Sequence, residues 1–158
     1  MSYRLRPAAL DDLATITHHR VAMFRDMGVE MDEAVVSQTF IDWLAGVMAD
    51  GTYRGWLVEA EPGEVVAGGG ITLLPWPPGP RYPGGRLAFV YNVYTEPAHR
   101  RHGLARMVMD AIHAWCLAHN VTSVGLNASE SGRPLYESMG YEVTRSPMMF
   151  RALTPSPK

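Results

Sequence analysis

The sequence predicts a single α/β domain in which a sheet is flanked by about four helices, and three observations predict it. Apolar stretches of strand length share the chain with longer stretches whose apolar residues recur every three to four positions. Arg86–Thr95 has a nearly continuous apolar core, as a central strand should, and a turn and a strongly periodic helix follow it. The chain has 158 residues, 47% hydrophobic and 19% charged, which is enough to bury one core.

Each element has a local reason. Tyr3-Arg4-Leu5-Arg6 alternates as a short strand does, and Pro7 ends it. Asp11 or Asp12 can cap a helix carrying Leu13, Ile16, Val21, Phe24 and Met27, with Gly28 as its stop. A second helix starts at Asp32, carries Val36, Phe40, Trp43, Leu44 and Val47, and ends before Gly51. Strands at about Tyr53–Ala60 and Val65–Leu74 are joined by Glu61-Pro62-Gly63-Glu64, a hairpin signal. Gly68-Gly69-Gly70 inside the second strand predicts a bulge or the close approach of another backbone. Pro75–Gly85 is rich in proline and glycine and reads as a surface loop.

After the strand Arg86–Thr95, a helix begins at about Gly103. Leu104, Met107, Val108, Ala111, Ile112 and Trp115 form its apolar stripe. Val121–Asn127 is predicted as a strand, Ser131–Met139 as a short helix stopped by Gly140, and Tyr141–Phe150 as the last strand. Residues 1–150 are expected to form the domain and 151–158 a frayed tail.

Composition narrows the function. A net charge of −2 argues against a general nucleic-acid binder. The single cysteine, Cys116, rules out an intramolecular disulfide and reads as a buried core thiol. No apolar run approaches the ~20 residues of a membrane span, and Met1-Ser2-Tyr3-Arg4 does not begin a signal peptide, so a cytoplasmic location is expected. The six histidines show no metal-ligand spacing, and no phosphate-binding loop of the G-x-x-x-x-G-K-[S/T] type is present.

The chemistry concentrates in Val93–Trp115. Its polar turn, His99-Arg100-Arg101-His102-Gly103-Leu104-Ala105, is basic and then small, and it opens a helix. A helix N-terminus offers unpaired N–H groups and the positive end of the macrodipole, which suits a phosphate. Glycine lets the backbone approach the anion closely.

Arg100-Arg101-His102-Gly103-Leu104-Ala105 matches the [R/Q]-x-x-G-x-[G/A] acyl-CoA signature, and Leu135-Tyr136-Glu137-Ser138-Met139-Gly140-Tyr141 matches an L-Y-x-x-x-G-[F/Y] block. With these motifs and this order of elements, essentially the whole chain resembles the GNAT superfamily of acetyl-CoA-dependent N-acetyltransferases. The resemblance implies a mixed, twisted six- to seven-stranded sheet and transfer of an acetyl group from acetyl-CoA to a primary amine. Transfer would be by direct attack in a ternary complex. The alternatives are a non-catalytic acyl-CoA-binding regulatory module and a basic turn that binds a phosphorylated partner. Acetyl-CoA would be the donor substrate, with no metal. The acceptor would be a small-molecule amine, with no nucleic acid or membrane partner, and a homodimer is left open because dimers are common in the superfamily.

The resemblance also implies residue roles. Backbone groups of Val93 and Tyr94, with Thr95 close by, would hold the pantetheine arm. The diphosphate would sit on the N–H groups of Arg101, His102, Gly103, Leu104 and Ala105, with Arg100, Arg101 and Arg106 supplying charge. Tyr136 stands where many members place a general acid that protonates the departing thiolate. Two positions depart from the common pattern: Ser129 stands where many members have asparagine, and Gly132 where alanine is common. Ser129 or Asn127 would then take over a cofactor contact. Glu30 falls where the superfamily forms its acceptor site, and Arg25 would line the same region. His18 and His19 lie on the first helix and read as exposed surface histidines, with one of them facing the cleft as the alternative, and no general base stands out. Glu96, near the signature, is expected at the wrong end of its strand, and Asn92 could position a water. Arg20, Arg25 and Asp26 add a mixed charge suited to an acceptor with both an amine and a carboxylate.

Overall fold

A computed structural model describes residues 2–154; the final residues of the expected tail, 155–158, lie outside the described residues. The chain divides into two compact units, Met1–Asn127 and Ala128–Lys158.

The first unit holds a five-stranded sheet in chain order, β1 (Arg4–Pro7), β2 (Tyr53–Glu61), β3 (Glu64–Pro75), β4 (Arg86–Thr95) and β5 (Val124–Leu126). The first three pairings are antiparallel and β4–β5 is parallel, so the sheet is mixed as expected. Helices α1 (Leu13–Asp26) and α2 (Glu33–Ala49) lie between β1 and β2 in sequence, and α3 (Leu104–Ala118) lies between β4 and β5.

Local chemistry accounts for most boundaries. Asp32 caps α2 by accepting the Ala34 and Val35 N–H groups. Gly28 and Gly51 follow α1 and α2 with φ of 71° and 79°, the left-handed stop that glycine adopts without strain. Asp12 occupies the N-cap position of α1, but its carboxylate points elsewhere. It accepts from the Ala9 N–H at 2.7 Å and from both terminal nitrogens of Arg6 at 2.8 and 2.9 Å. Arg6 also reaches Glu59 at 2.7 Å, so one guanidinium ties β1 to β2 and to the start of α1.

The glycine run in β3 shows how the helices are layered. An added Cβ at Gly69 would meet Val108 of α3 at 2.9 Å, whereas one at Gly68 would meet Leu57 at 2.7 Å with His19 of α1 at 3.4 Å. Adjacent strand residues face opposite sides, so α1 and α3 cover opposite faces of the sheet. Ile16, Phe40, Leu44, Tyr53 and Leu57 form the core on the α1–α2 side. On the other side α3 buries Leu104, Val108, Met109, Ile112 and Cys116. That line is rotated from the expected stripe, because Met109 and Cys116 go inward while Met107 and Trp115 stay half-buried.

Four expectations need correcting. The sheet has five strands, not six or seven. Tyr141–Phe150 has β-forming residues but forms no strand among the described residues, and Pro147 removes a donor, so it is irregular and leaves Val143, Met148, Met149 and Phe150 exposed. The strand expected over Val121–Asn127 shrinks to Val124–Leu126, the length over which it pairs with Ala88–Val90. Finally, the bulge lies opposite the glycines rather than among them. Between the pairs Gly68↔Tyr94 and Gly70↔Tyr91, β4 takes one residue more than β3, and Asn92 adopts φ 57°. The other half of that expectation, close approach at the glycines, is what the packing displays.

The second unit contains one short helix, α4 (Arg133–Ser138), stopped by Gly140 at φ 92°.

Candidate active site

The basic turn folds into a tight, irregular backbone that opens α3. Glu96, Pro97 and His99 close a single 3-10 turn, Arg101 takes φ 67°, and Gly103 takes φ 75° as the N-cap of α3. The first backbone hydrogen bond of the helix runs from Met107 N–H to the Gly103 carbonyl. The N–H groups of Arg101, His102, Gly103, Leu104 and Ala105 therefore have no backbone acceptor among the described residues. A run of such donors at the positive end of a 15-residue helix suits an oxyanion. A Cβ at Gly103 would meet nothing within 4 Å, so the space in front of the turn is open and it is the positive φ that calls for glycine.

The side chains of the turn divide between scaffold and surface. Arg100 Nε donates to the Thr95 carbonyl at 3.0 Å, and its terminal nitrogen pairs with Asp26 of α1. Its charge is thus offset, and its job in the fold is to fasten the turn to β4 and α1. His102 Nδ1 donates to the Arg100 carbonyl at 2.9 Å, which fixes that tautomer. Arg101 is exposed and makes no ion pair among the described residues.

Beside the turn, β4 presents a free edge. Its pairing with β5 covers Ala88–Val90, and from Tyr91 to Thr95 no strand among the described residues lies on that side. The bulge at Asn92 falls at the start of this free stretch. Val93, Tyr94 and Thr95 thus lie between the bulge and the turn that opens α3.

The acceptor-side residues separate into two groups. Toward the turn, His18 Nε2 lies 2.7 Å from Glu96 Oε1, while His19 is only 2% exposed and packs on the Tyr94 ring. Burial lowers the His19 pKa to about 4, Glu96 opposing that shift and His18 adding to it. His19 is neutral near pH 7, so its 4.0 Å separation from Glu96 is not an ion pair, and its Nε2 has no hydrogen-bond partner among the described residues. Arg25 is bound to Glu33 by two hydrogen bonds of 2.8 and 2.7 Å, and Glu30 is exposed in the link between α1 and α2.

The second group surrounds the bulge. Arg20 donates to Asn92 Oδ1 at 2.9 Å, and its guanidinium lies 4.9 Å from the Phe24 ring and 4.8 Å from the Phe40 ring. Tyr53 reaches the same place through a notch: a Cβ at Gly70 would lie 2.1 Å from its hydroxyl oxygen. Burial raises the Tyr53 pKa to about 12, with Asn92 and Arg20 pulling the other way. Tyr91 completes the group, its hydroxyl 3.2 Å from Thr72 Oγ1. Neither Tyr53 nor Tyr91 was indicated by a sequence motif. The only trace was the glycine run, whose missing side chains make room for the Tyr53 ring.

In the second unit, Tyr136 is buried and burial raises its hydroxyl pKa; its ring meets Tyr141 edge-on at 5.9 Å. Ser129 Oγ accepts the Gly132 N–H at 3.2 Å, which caps the approach to α4. Asn127, the last residue of the first unit, is exposed. Among the described residues no group of three His, Cys, Asp or Glu could hold a metal, and no helix is long and apolar enough to cross a membrane.

The mixed sheet, with a bulged, partly unpaired β4 leading through a tight turn into α3, is the fold of an acetyltransferase family. The family model of the GNAT acetyltransferase family matches residues 14–141, and the chain belongs to that family. It is similar to a solved GCN5-related N-acetyltransferase from Ralstonia eutropha, at 34% identity and a TM-score of 0.89, over 96% of this chain and 99% of that one. A predicted acetyltransferase from Clostridium acetobutylicum, solved with acetyl-CoA, has the same fold at 24% identity and a TM-score of 0.86, covering 95% and 96% of the two chains. So does glucosamine-6-phosphate N-acetyltransferase from Arabidopsis thaliana, at 16% identity and a TM-score of 0.69, covering 98% and 100%. No curated protein matches the sequence.

Proposed function

We propose that the chain is an N-acetyltransferase that moves an acetyl group from acetyl-CoA to a primary amine of a small molecule, by direct attack in a ternary complex. The observation that carries this reading is the run of unsatisfied N–H groups from Arg101 to Ala105, set next to the free edge of β4. Acetyl-CoA supplies an acetyl group already activated as a thioester. In this reading Arg101–Ala105 hold the diphosphate through the backbone, with His102 at the mouth of the turn and Arg101 and Arg106 supplying charge. Arg100, offset by Asp26, keeps the turn in shape.

Val93, Tyr94 and Thr95 line up the pantetheine arm, and a backbone N–H near Val93 polarises the carbonyl, orienting it for attack. Tyr136 holds the proton that the leaving thiolate takes up, and its burial keeps the hydroxyl protonated near neutral pH. Ser129 or Asn127 provides the contact that an asparagine makes in many relatives. Residues 1–150 act as one catalytic domain in the cytoplasm, and 151–158 as a tail.

Two measurements test the reading. Acetyl-CoA and CoA should each raise the melting temperature, and a protein that neither ligand stabilises would sink the proposal. Thiol release from acetyl-CoA across a panel of amines should then reveal turnover, slowed roughly tenfold or more in Tyr136→Phe. Full turnover in that variant would remove the acid role and leave the donor site standing.

A further inference from the structure

We infer that Arg20 reads the acceptor, and that the acceptor carries a carboxylate close to its amine, as an amino acid does. This rests on the acetyltransferase reading above and narrows its substrate class. Of the three charged residues expected on this side, two are already matched: Arg25 by Glu33 and Asp26 by Arg100. Arg20 is not. It is half-buried, and no carboxylate pairs with it among the described residues.

The side chain is nonetheless held firmly. The Phe24 and Phe40 rings lie close to the guanidinium, and a single hydrogen bond, to Asn92 Oδ1, fixes its rotation. Guanidinium has five N–H donors, so most remain for a ligand. Among the described residues only one of the Arg20 nitrogens has a hydrogen-bond partner, and the residue is half-buried rather than sealed. Asn92 itself is 3% exposed and lies within reach of the Tyr53 hydroxyl, so the spare donors at this point belong to Arg20.

A cation taken partly out of water without a counter-ion is costly, and an oxyanion arriving there removes the cost. The uncompensated charge is a single one, which matches a carboxylate; a phosphate would bring a second negative charge with nothing to meet it. Position supplies the rest. Asn92 directly precedes Val93, where the thioester carbonyl is proposed to sit, so a carboxylate on Arg20 would place an amine a few bonds away beside the reacting carbon.

The experiment uses the full chain with acetyl-CoA and matched acceptors: free amino acids, the corresponding amino-acid amides, and phosphoethanolamine. In wild type the acids should exceed their amides by roughly tenfold or more in kcat/KM, carried mainly by KM. Arg20→Gln and Arg20→Lys should collapse that ratio while the acetyl-CoA thermal shift persists. Amides or phosphoethanolamine turning over as well as the acids in wild type would overturn the inference, without needing any variant to fold. A binding arm separates this failure from failure of the donor reading. With CoA present, amino acids should raise the melting temperature further in wild type and not in Arg20→Gln. A shift with CoA alone but none from any amino acid would refute the carboxylate site and leave the acyl-CoA site intact.

Discussion

His19 shows how much a single position carries. It is buried against Tyr94 with one ring nitrogen unpartnered, and its pKa is lowered from 6.5 to about 4. Between those values the unfolded chain binds a proton that the native state refuses. The contribution is therefore fully present above pH 6.5 and is lost as pH falls toward 4, by about 3 kcal/mol in all. The native imidazole should not titrate above pH 5 by NMR, and the urea midpoint should fall between pH 6.5 and 4.5. His19→Leu should lose that slope; an imidazole titrating near 6.5 in the native protein would contradict the burial argument. Gly103 is the second decisive position. In Gly103→Ala the left-handed φ costs about 1–2 kcal/mol, although the space is open. The melting temperature should drop by a few degrees, and calorimetry should record acetyl-CoA binding weakened several-fold as the turn relaxes. Arg101→Ala should weaken binding much less, because the receptor is mostly backbone.

At the scale of elements, the informative feature is the contact between β2, β3 and β4. Gly70→Ala would set a methyl group 2.1 Å from the Tyr53 hydroxyl and 2.8 Å from the Arg54 carbonyl oxygen. The ring has nowhere to go in a close-packed layer, so a loss of at least about 1–3 kcal/mol is expected in chemical denaturation. A neutral effect would mean that Tyr53 is not lodged in the notch. The element scale also accounts for what could be read beforehand. The helices, the β2–β3 hairpin, the stop glycines and the turn before α3 follow from neighbours in sequence, and their boundaries came out within a few residues. The two strands expected after α3 did not. Tyr141–Phe150 and the ends of Val121–Asn127 carry strand-forming residues, but a strand exists only where another strand supplies the ladder. The side of the bulge was equally hidden, because register is a property of two strands and the glycines marked only one of them.

For the molecule as a whole, the useful prediction is linkage. At a hundredfold excess over its Kd, acetyl-CoA should stabilise the native state by ~2.7 kcal/mol. For a chain of 158 residues that raises the melting temperature by roughly 5–10 °C. The Arg6–Asp12–Glu59 network supplies an independent check on integrity. Arg6 holds both carboxyl groups below their ordinary range, so the stability they contribute is lost only as pH falls through the acid range below about 4.5, beneath the His19 window. Acid unfolding followed by circular dichroism should show the two losses in that order, and Arg6→Gln should remove the lower one.

By itself the sequence determined the α/β class, the order of elements, the basic turn and glycine that open α3, and membership in a family. These rest on periodicity, turn chemistry and short motifs, which are local and survive in one dimension. Only the tertiary structure decided that Arg25 and Asp26 are already paired, that Arg20 is not, and that Tyr53 passes through the glycine notch to Asn92. Those facts depend on which charges and rings from distant segments come within a few ångströms, and no local pattern encodes that meeting. The proposed donor side is legible because a helix start is encoded by neighbours in sequence, whereas the proposed acceptor side is made of side chains brought together by folding.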